Sequence, residues 1–488
     1  MMALNPLRLF GCATIAFGCV GLPVSHGQSG PAVAEVSAVM KKAAEYYHGT
    51  VARHGGYVYY YSPDLSKRLG EGVAGADQIW VQEPGTPTVG LAYLAAFQAT
   101  DDRFYLDAAI DAAEALIHGQ LESGGWTNWV EFDPKSPRVG RYRNGKRKGK
   151  NFSTLDDGIS QVALQFLMKL DKEARFQNQT VHQAAGIALA ALLAAQFPNG
   201  AFPQGWDGSR VESPATLAID KKAGYPPYDW RSEGRIKEYW HQYTLNDGLA
   251  ETVSETLMVA HGVYDREDCL AALKRLGDFL VLSQMPDPQP AWAQQYNYNM
   301  QPIWARKFEP PALAGRESEG VVATLMKIAF HCRDKQYLEP IPKALAYLKK
   351  SQLPGEKLAR YYELRTNRPL YMERSGKGYS LTYDDSRLPS HYGWQNPSRL
   401  KFLEAALQSI NAGKGLPTRI FPPVQAEPTV DEIIRQLDEK GRWVSTFSGE
   451  PLSGQPKFKE GEKYIHSGVF SRKLEILSAY LGSGNSGR

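Results

Sequence analysis

The chain has 488 residues, 43% of them hydrophobic and 22% charged, a balance that supports a large core and excludes a mostly disordered protein. Once Cys12 and Cys19 are set aside with the leader, only Cys269 and Cys332 remain, which excludes a disulfide-framed fold and admits one bridge or two buried thiols. Net charge is +4, and the basic run of Arg138, Arg141, Arg143, Lys146, Arg147, Lys148 and Lys150 suits attraction of a polyanion; with no nucleic-acid module around it, it does not point to DNA or RNA.

Residues 1–27 carry Arg8, an apolar run over 9–22, and the small residues Ser25 and Gly27, the layout of a secretory signal peptide. A membrane anchor is the second reading, but the run is interrupted by glycine and short for a span, and the residues before the leader cysteines match a lipobox poorly. No stable membrane association is expected. From 28 to 411 the pattern is helical and repeated. Amphipathic stretches end near a glutamine at 120, 196, 284 and 352, each followed by a short turn and aromatics, as in Gly124-Gly125-Trp126 and Gly200-Ala201-Phe202; Tyr46 to Tyr57 opens the series. Ala-rich stretches at 184–195 and 321–330 fill the intervals. One helix pair cannot bury its apolar stripe alone, so successive pairs must stack as a solenoid or close as a ring. The elaborated loops fall after one end of each pair, which predicts an all-α fold, an α/α toroid with a cleft across that face. Terpene cyclases and several polysaccharide-degrading enzymes share this architecture, so the fold does not decide the chemistry. Residues 412–429, with Pro417, Pro422, Pro423 and Pro428, read as a connector. Residues 430–488 read as a helical segment too small for its own core, packing on the toroid, and no dimerisation signal is visible, so a monomer is expected.

Chemistry concentrates in a duplicated pentad, Thr154-Leu155-Asp156-Asp157-Gly158 and Thr244-Leu245-Asn246-Asp247-Gly248, each copy opening an apolar helical pattern. Helix capping accounts for one side chain in each copy. The second, adjacent one points to a site. Arginines lie among aromatics at 302–309, which holds Trp304, Arg306, Phe308 and Glu309, and at 359–371, which holds Arg360, Tyr361, Glu363 and Asn367. Guanidinium groups bind carboxylates bidentately and aromatic faces stack on sugar rings, so the mixture suits an acidic saccharide. Local ion pairs, Arg306 with Glu309 and Arg360 with Glu363, are an equally open reading. Trp126, Trp129, Trp206 and Tyr243 serve either as sugar platforms or as buried residues at hairpin junctions.

Both pentads, Asn199-Gly200-Ala201-Phe202-Pro203-Gln204, and the block from Trp292-Ala293-Gln294-Gln295-Tyr296 to Trp304-Ala305-Arg306-Lys307-Phe308-Glu309 resemble the pectate lyases of polysaccharide lyase family 10 over residues 37–394. The resemblance implies cleavage of polygalacturonate by Ca2+-assisted β-elimination with an arginine as base. Asp156 and Asp157 match the family's Asp-Asn pair, and Asp247 the acid of its Phe-Asn-Asp motif, which makes all three candidate metal or substrate-bridging groups and gives Asp156 a share in catalysis. Arg306 matches the arginine of the Trp-Ala-Arg motif and is the expected base; Arg360 and Arg374 would take substrate carboxylates, with Tyr361, Asn367 and Trp126 in the same binding set. Three departures stand out: Asp157 where Asn is common, Gly248 where Asn is frequent, and Glu373-Arg374-Ser375-Gly376 in place of an Arg-Asp-Gly run. Guanidinium is ordinarily always protonated, so a basic Arg306 needs a depressed pKa; otherwise it is a clamp, and His241 or Lys307 would have to serve. The leading expectation is a secreted enzyme, periplasmic or extracellular, that releases 4,5-unsaturated oligogalacturonides. Two alternatives stay open: an inverting glycoside hydrolase using Asp156 and Asp247, and a non-catalytic protein that binds acidic oligosaccharides.

Overall fold

The computed structural model describes residues 31–485 except 146–148, 209–218, 377, 391 and 424–425, so the expected signal peptide lies outside the described residues. Twelve α-helices are described: α1 (Val33–Tyr46), α2 (Thr86–Thr100), α3 (Arg103–His118), α4 (Ile159–Glu173), α5 (Gln179–Ala195), α6 (Leu249–Tyr264), α7 (Glu267–Leu282), α8 (Gly315–Cys332), α9 (Ile341–Lys350), α10 (Leu400–Asn411), α11 (Val430–Arg435) and α12 (Ser467–Asn485). Local chemistry sets several starts. Asp102 caps α3 through Phe104 N, Asn178 caps α5 through Val181 N, and Thr429 with Glu432 forms a capping box on α11.

Burial separates two layers. Helices α4 and α8 are buried over most of their circumference, whereas α5 and α9 bury one stripe, as expected of an inner and an outer ring. Packing contacts run from α12 to α2, α4, α6, α8 and α10 in turn, and α2/α3, α4/α5, α6/α7 and α8/α9 form hairpins. The chain is an α/α toroid. Its C-terminal segment is part of that ring, because α12 lies along α2 and the strand before it, Lys463–His466, pairs antiparallel with Tyr60–Tyr61. Among the described residues no helix is long and apolar enough to cross a membrane. Cys269 and Cys332 are free thiols.

The glutamine repeat has a physical basis. Gln120 Nε2 donates to the carbonyls of Gly124 (2.8 Å) and Ala184 (3.0 Å); Gln196 does so to Gly200 (3.1 Å) and Ala272 (2.9 Å), and Gln284 to Pro290 (3.1 Å) and Pro340 (2.9 Å). Each of these three glutamines thus closes its own turn and ties it to the next hairpin. At Gly200 (φ 91°) a Cβ would stand 1.8 Å from the Arg275 carbonyl oxygen, so glycine is what lets neighbouring hairpins approach.

Short antiparallel strands cover one end of the ring: Gln78–Trp80 with Trp129–Glu131, Ser153–Thr154 with Gly205–Trp206, and Tyr243–Thr244 with Gln295–Tyr296. A larger sheet runs in the order Gly378–Thr382, Pro369–Ser375, Tyr361–Glu363, Ala312–Ala314. Strands precede the N-termini of α4, α6, α8, α10 and α12, so the loops that feed the inner helices share one face.

Candidate active site

Each pentad leaves a strand, makes one 3-10 turn and enters an inner helix, α4 or α6. Asp157 (φ 45°) and Asp247 (φ 51°) adopt the left-handed backbone conformation, followed by Gly158 and Gly248, both at φ 72°. Short polar side chains tolerate that region best, and glycine enters it without a steric cost. No side chain caps α4 or α6, so the pentad acids are not caps. Adjacency of α4 and α6 brings the two turns together, and one carboxylate oxygen from each of Asp156, Asp157 and Asp247 lies within 4.8 Å of the others. Asn246 is buried, its amide donates to Asp247, and its Oδ1 has no partner. Three carboxylates are hard donors that could hold one hard divalent cation.

Neutral amides orient two of these acids. Gln204 Nε2 donates to Asp156 Oδ1 at 2.7 Å, and Gln82 Nε2 to Asp157 Oδ2 at 2.8 Å and Glu71 Oε1 at 3.0 Å. Cations close the other side. Arg306 Nη2 stands 3.3 Å from Asp247 Oδ2, and its Nε donates to Glu309 Oε1 at 2.8 Å. Buried Glu309 also accepts from the Arg306 backbone N–H (2.9 Å), Gln294 (2.8 Å) and the Tyr392 hydroxyl (3.0 Å). Arg360 Nη2 lies 3.3 Å from Glu317 Oε1 and 3.7 Å from Asp247 Oδ1, with its Cζ 4.0 Å from the Tyr392 ring centroid.

Desolvation and mutual repulsion hold the cluster short of full ionisation. Asp157 is pushed up to about 7 by desolvation and then by Asp247, Asp156 and Glu71. Asp247 is pushed up to about 6 by desolvation, against the pull of Arg306, and Asp156 is raised mainly by burial. Burial also works against the Arg306 guanidinium, but its bonds to Glu309 and the charge of Asp247 outweigh it, so Arg306 is held firmly charged. Glu309, buried yet bonded to Arg306, is lowered.

Five of the expected residues, Asp156, Asp157, Asp247, Arg306 and Arg360, therefore meet at one place, beside a cleft of about 370 Å3 that runs between α6 and α8 past Glu251, Arg316 and Arg399. The expected Arg306–Glu309 pair is present, whereas Arg360 pairs with Glu317 and leaves Glu363 to Arg231. Three assignments to sugar binding need correction. Trp126 is buried, its Nε1–H bonded to the Leu116 carbonyl at 2.8 Å, and Trp292 repeats that bond to Leu280 at 2.8 Å; an enclosed indole has no face to offer a sugar. Tyr361 is buried, its hydroxyl on Gln294 and Tyr392, so it props the Glu309 network. Asn367 locks a left-handed turn (φ 60°) through Tyr347, Gln289 and Ser351. Arg374 is exposed on the 369–382 hairpin, where its Nε donates to the Gly376 carbonyl. Trp206 and Tyr243 are also buried, and Trp129 stays half-buried against Trp80. Sequence reasoning gave no role to Gln82, Glu317 or Tyr392; each reaches the site from a distant segment, and isolated Gln, Glu and Tyr residues carry no motif. In a wider hollow of about 560 Å3 at His48, His54 and Asp111, Asp111 is already paired with the His48 imidazole at 2.7 Å.

No protein-family model matches the chain, and no curated protein matches it. Among solved structures, it is similar to a point mutant of a family 10 polysaccharide lyase from Cellvibrio cellulosa in complex with trigalacturonic acid, with 19% identity, 61% of this chain and 91% of that one covered, and a TM-score of 0.45. It is also similar to a cellobiose 2-epimerase from Bacillus thermoamylovorans, with 13% identity, coverage of 92% and 99%, and a TM-score of 0.46. An α-mannanase from Bacteroides thetaiotaomicron matches with 11% identity, coverage of 92% and 96%, and a TM-score of 0.42. Identities this low do not bear on the chemistry, and the site's own geometry has to carry any functional reading.

Proposed function

We propose that the chain is a secreted carbohydrate-active lyase that cleaves de-esterified polygalacturonate by β-elimination with Ca2+. The observation that supports this reading is the convergence of Asp156, Asp157 and Asp247 beside Arg306 and Arg360, with Asp157, Asp247 and Arg360 lining a cleft. Ca2+ takes roughly six to eight oxygen ligands at about 2.3–2.6 Å, so opposed ligand oxygens stand about 5 Å apart, the scale of this cluster. When bound by these three aspartates, the ion would supply positive charge against the uronate carboxylate as negative charge develops there.

The protein's own groups divide the remaining work. Arg360, fixed by Glu317 and the Tyr392 ring, offers its guanidinium to a substrate carboxylate. Arg306 is the candidate for removing H-5: its electron pair takes the proton, the C5–H electrons form the C4–C5 double bond, and the C4–O bond breaks, with the leaving oxygen taking a proton. Because Glu309 and Asp247 hold the guanidinium charged, it must lose a proton before it can accept one, so turnover should rise with pH through the alkaline range.

The raised Asp157 and Asp247 carboxyls give a hydrolytic reading one point of support, since a proton donor near neutral pH is what hydrolysis needs. Their spacing does not favour the inverting form, in which the two carboxyl groups stand roughly 6.5–9.5 Å apart. The test is incubation with polygalacturonate, with Ca2+ or with EDTA, while following the ultraviolet absorbance of the unsaturated uronate. A Ca2+-dependent rise is expected. New reducing ends without absorbance, insensitive to EDTA, would return the aspartates to acid and base roles; binding without either product would leave a saccharide-binding protein.

A further inference from the structure

We propose that a second hollow, of about 480 Å3 and lined by Arg231, Arg235, Trp304, Lys307, Met372 and Tyr379, is a distal binding groove for the same acidic saccharide chain. The proposal rests on the acidic-saccharide reading of the cleft and adds a place where the polymer, but not a short fragment, is held. Its volume falls in the range of ligand sites, roughly 300–1,000 Å3. Among the described residues, three cations and no carboxylate line it.

The groove is built rather than incidental. Arg231 is fixed by the nearly fully buried Glu363 (2.6 Å to Nη2), which also accepts from Thr366 and Tyr383, and its Cζ sits 4.9 Å from the Trp230 ring. Arg235 lies 5.4 Å from the ring of Tyr239, and Lys307 is exposed. The floor is apolar: Trp304 is buried with its Nε1–H on the Trp230 carbonyl at 2.8 Å, and Met372 pairs across the hairpin with Leu381. Directly paired antiparallel residues share a face, so Arg374, opposite Tyr379, extends the basic rim from the hairpin. Cations beside the half-buried Tyr379 and Leu381 side chains match a chain whose sugar rings each carry one carboxylate.

Continuity with the cleft comes from consecutive residues. Arg306 belongs to the aspartate cluster, Lys307 lines the groove, and the ring of the next residue, Phe308, lies 5.5 Å from Arg306 Cζ and 5.4 Å from the Tyr379 ring. One polymer crossing Phe308 would engage both sites, whereas a trimer seated in the cleft would not need the second. This predicts a dependence on chain length.

The test compares the wild type with an Arg235→Ala/Lys307→Ala double variant, and with Lys307→Glu, by retardation in gels containing polygalacturonate and by turnover on polygalacturonate and on trigalacturonate. Exposed ion pairs are individually weak, so the ratio of polymer to trimer kcat/KM should fall by about two- to thirtyfold in the double variant, through KM. Lys307→Glu should lose at least as much, and its loss should shrink with added salt. An unchanged ratio would overturn the groove. Wild type retarded by the polymer but inactive, with the retardation lost in the variants, would keep the groove and remove the lyase reading; wild type neither retarded nor active would overturn both.

Discussion

The left-handed backbone at Asp157 and Asp247 fixes where these two carboxylates point before any ligand arrives. Asn tolerates the same conformation, so Asp157→Asn should keep the turn and lose only charge. Asp247→Ala removes the oxygens shared by Arg306 and Arg360. We expect it to raise the Ca2+ concentration for half-maximal turnover by about 10- to 100-fold, the scale found for removing groups that support a metal site, with Asp157→Asn falling short of that. A Ca2+ titration of turnover checks both; an unchanged midpoint for Asp247→Ala would move the metal elsewhere. Arg306 and Glu309 separate chemistry from stability. Arg306→Ala should cut turnover by about 100-fold or more, the contribution of a positioned proton-transfer group. Glu309→Ala leaves the half-buried Arg306 guanidinium only its longer contact with Asp247 and should cost about 1–3 kcal/mol in denaturant unfolding as well as activity.

At the scale of elements, the Trp126 and Trp292 indoles are the same device used twice, each bonded to a helix carbonyl behind it and each with its backbone N–H on a serine of the next inner helix, Ser160 or Ser318. Trp126→Phe should therefore lower stability by about 1 kcal/mol for the lost hydrogen bond and leave KM for oligogalacturonate where it was. A raised KM with unchanged stability would restore a sugar-binding role. The helix hairpins and their glutamine-marked ends were legible in the sequence because a 3.6-residue period and a fixed turn chemistry repeat in each unit. The pentads stood out for the same reason. What could not be read was which aromatic ring is enclosed: Trp126 and Tyr361 have the composition of a sugar site, and only packing shows that they face inward. Strands of two or three residues are too short to show alternation, and the Arg360–Glu317 pair joins segments 43 positions apart with no local pattern between them.

For the molecule as a whole, the seam lies where α12 meets α2 and where His466 stacks on Tyr60 with ring centroids 4.5 Å apart. Burial pushes the His466 imidazole down to about 4 from an ordinary 6.5, so it stays neutral in the folded protein while the unfolded chain takes up a proton. The stability that keeping His466 neutral supplies is complete above about pH 6.5 and is lost as pH falls towards 4, by up to about 3 kcal/mol. His466→Phe should flatten the fall in melting temperature over that interval relative to the wild type; equal slopes would show that the ring titrates freely. Ring closure also joins residues very far apart in the chain, as in the hydrogen bond between Tyr47 and Ser467, 420 positions apart. Contacts of such high order form late. Until they do, the apolar flank of α2 and the free edge of Tyr60–Tyr61 stand open to whichever closing arm reaches them first, and the arm of a second chain would fit as well as the protein's own. The ring is thus built so that crowded refolding should yield dimers that have exchanged their last strand and helix, separable by size and each carrying two complete clefts.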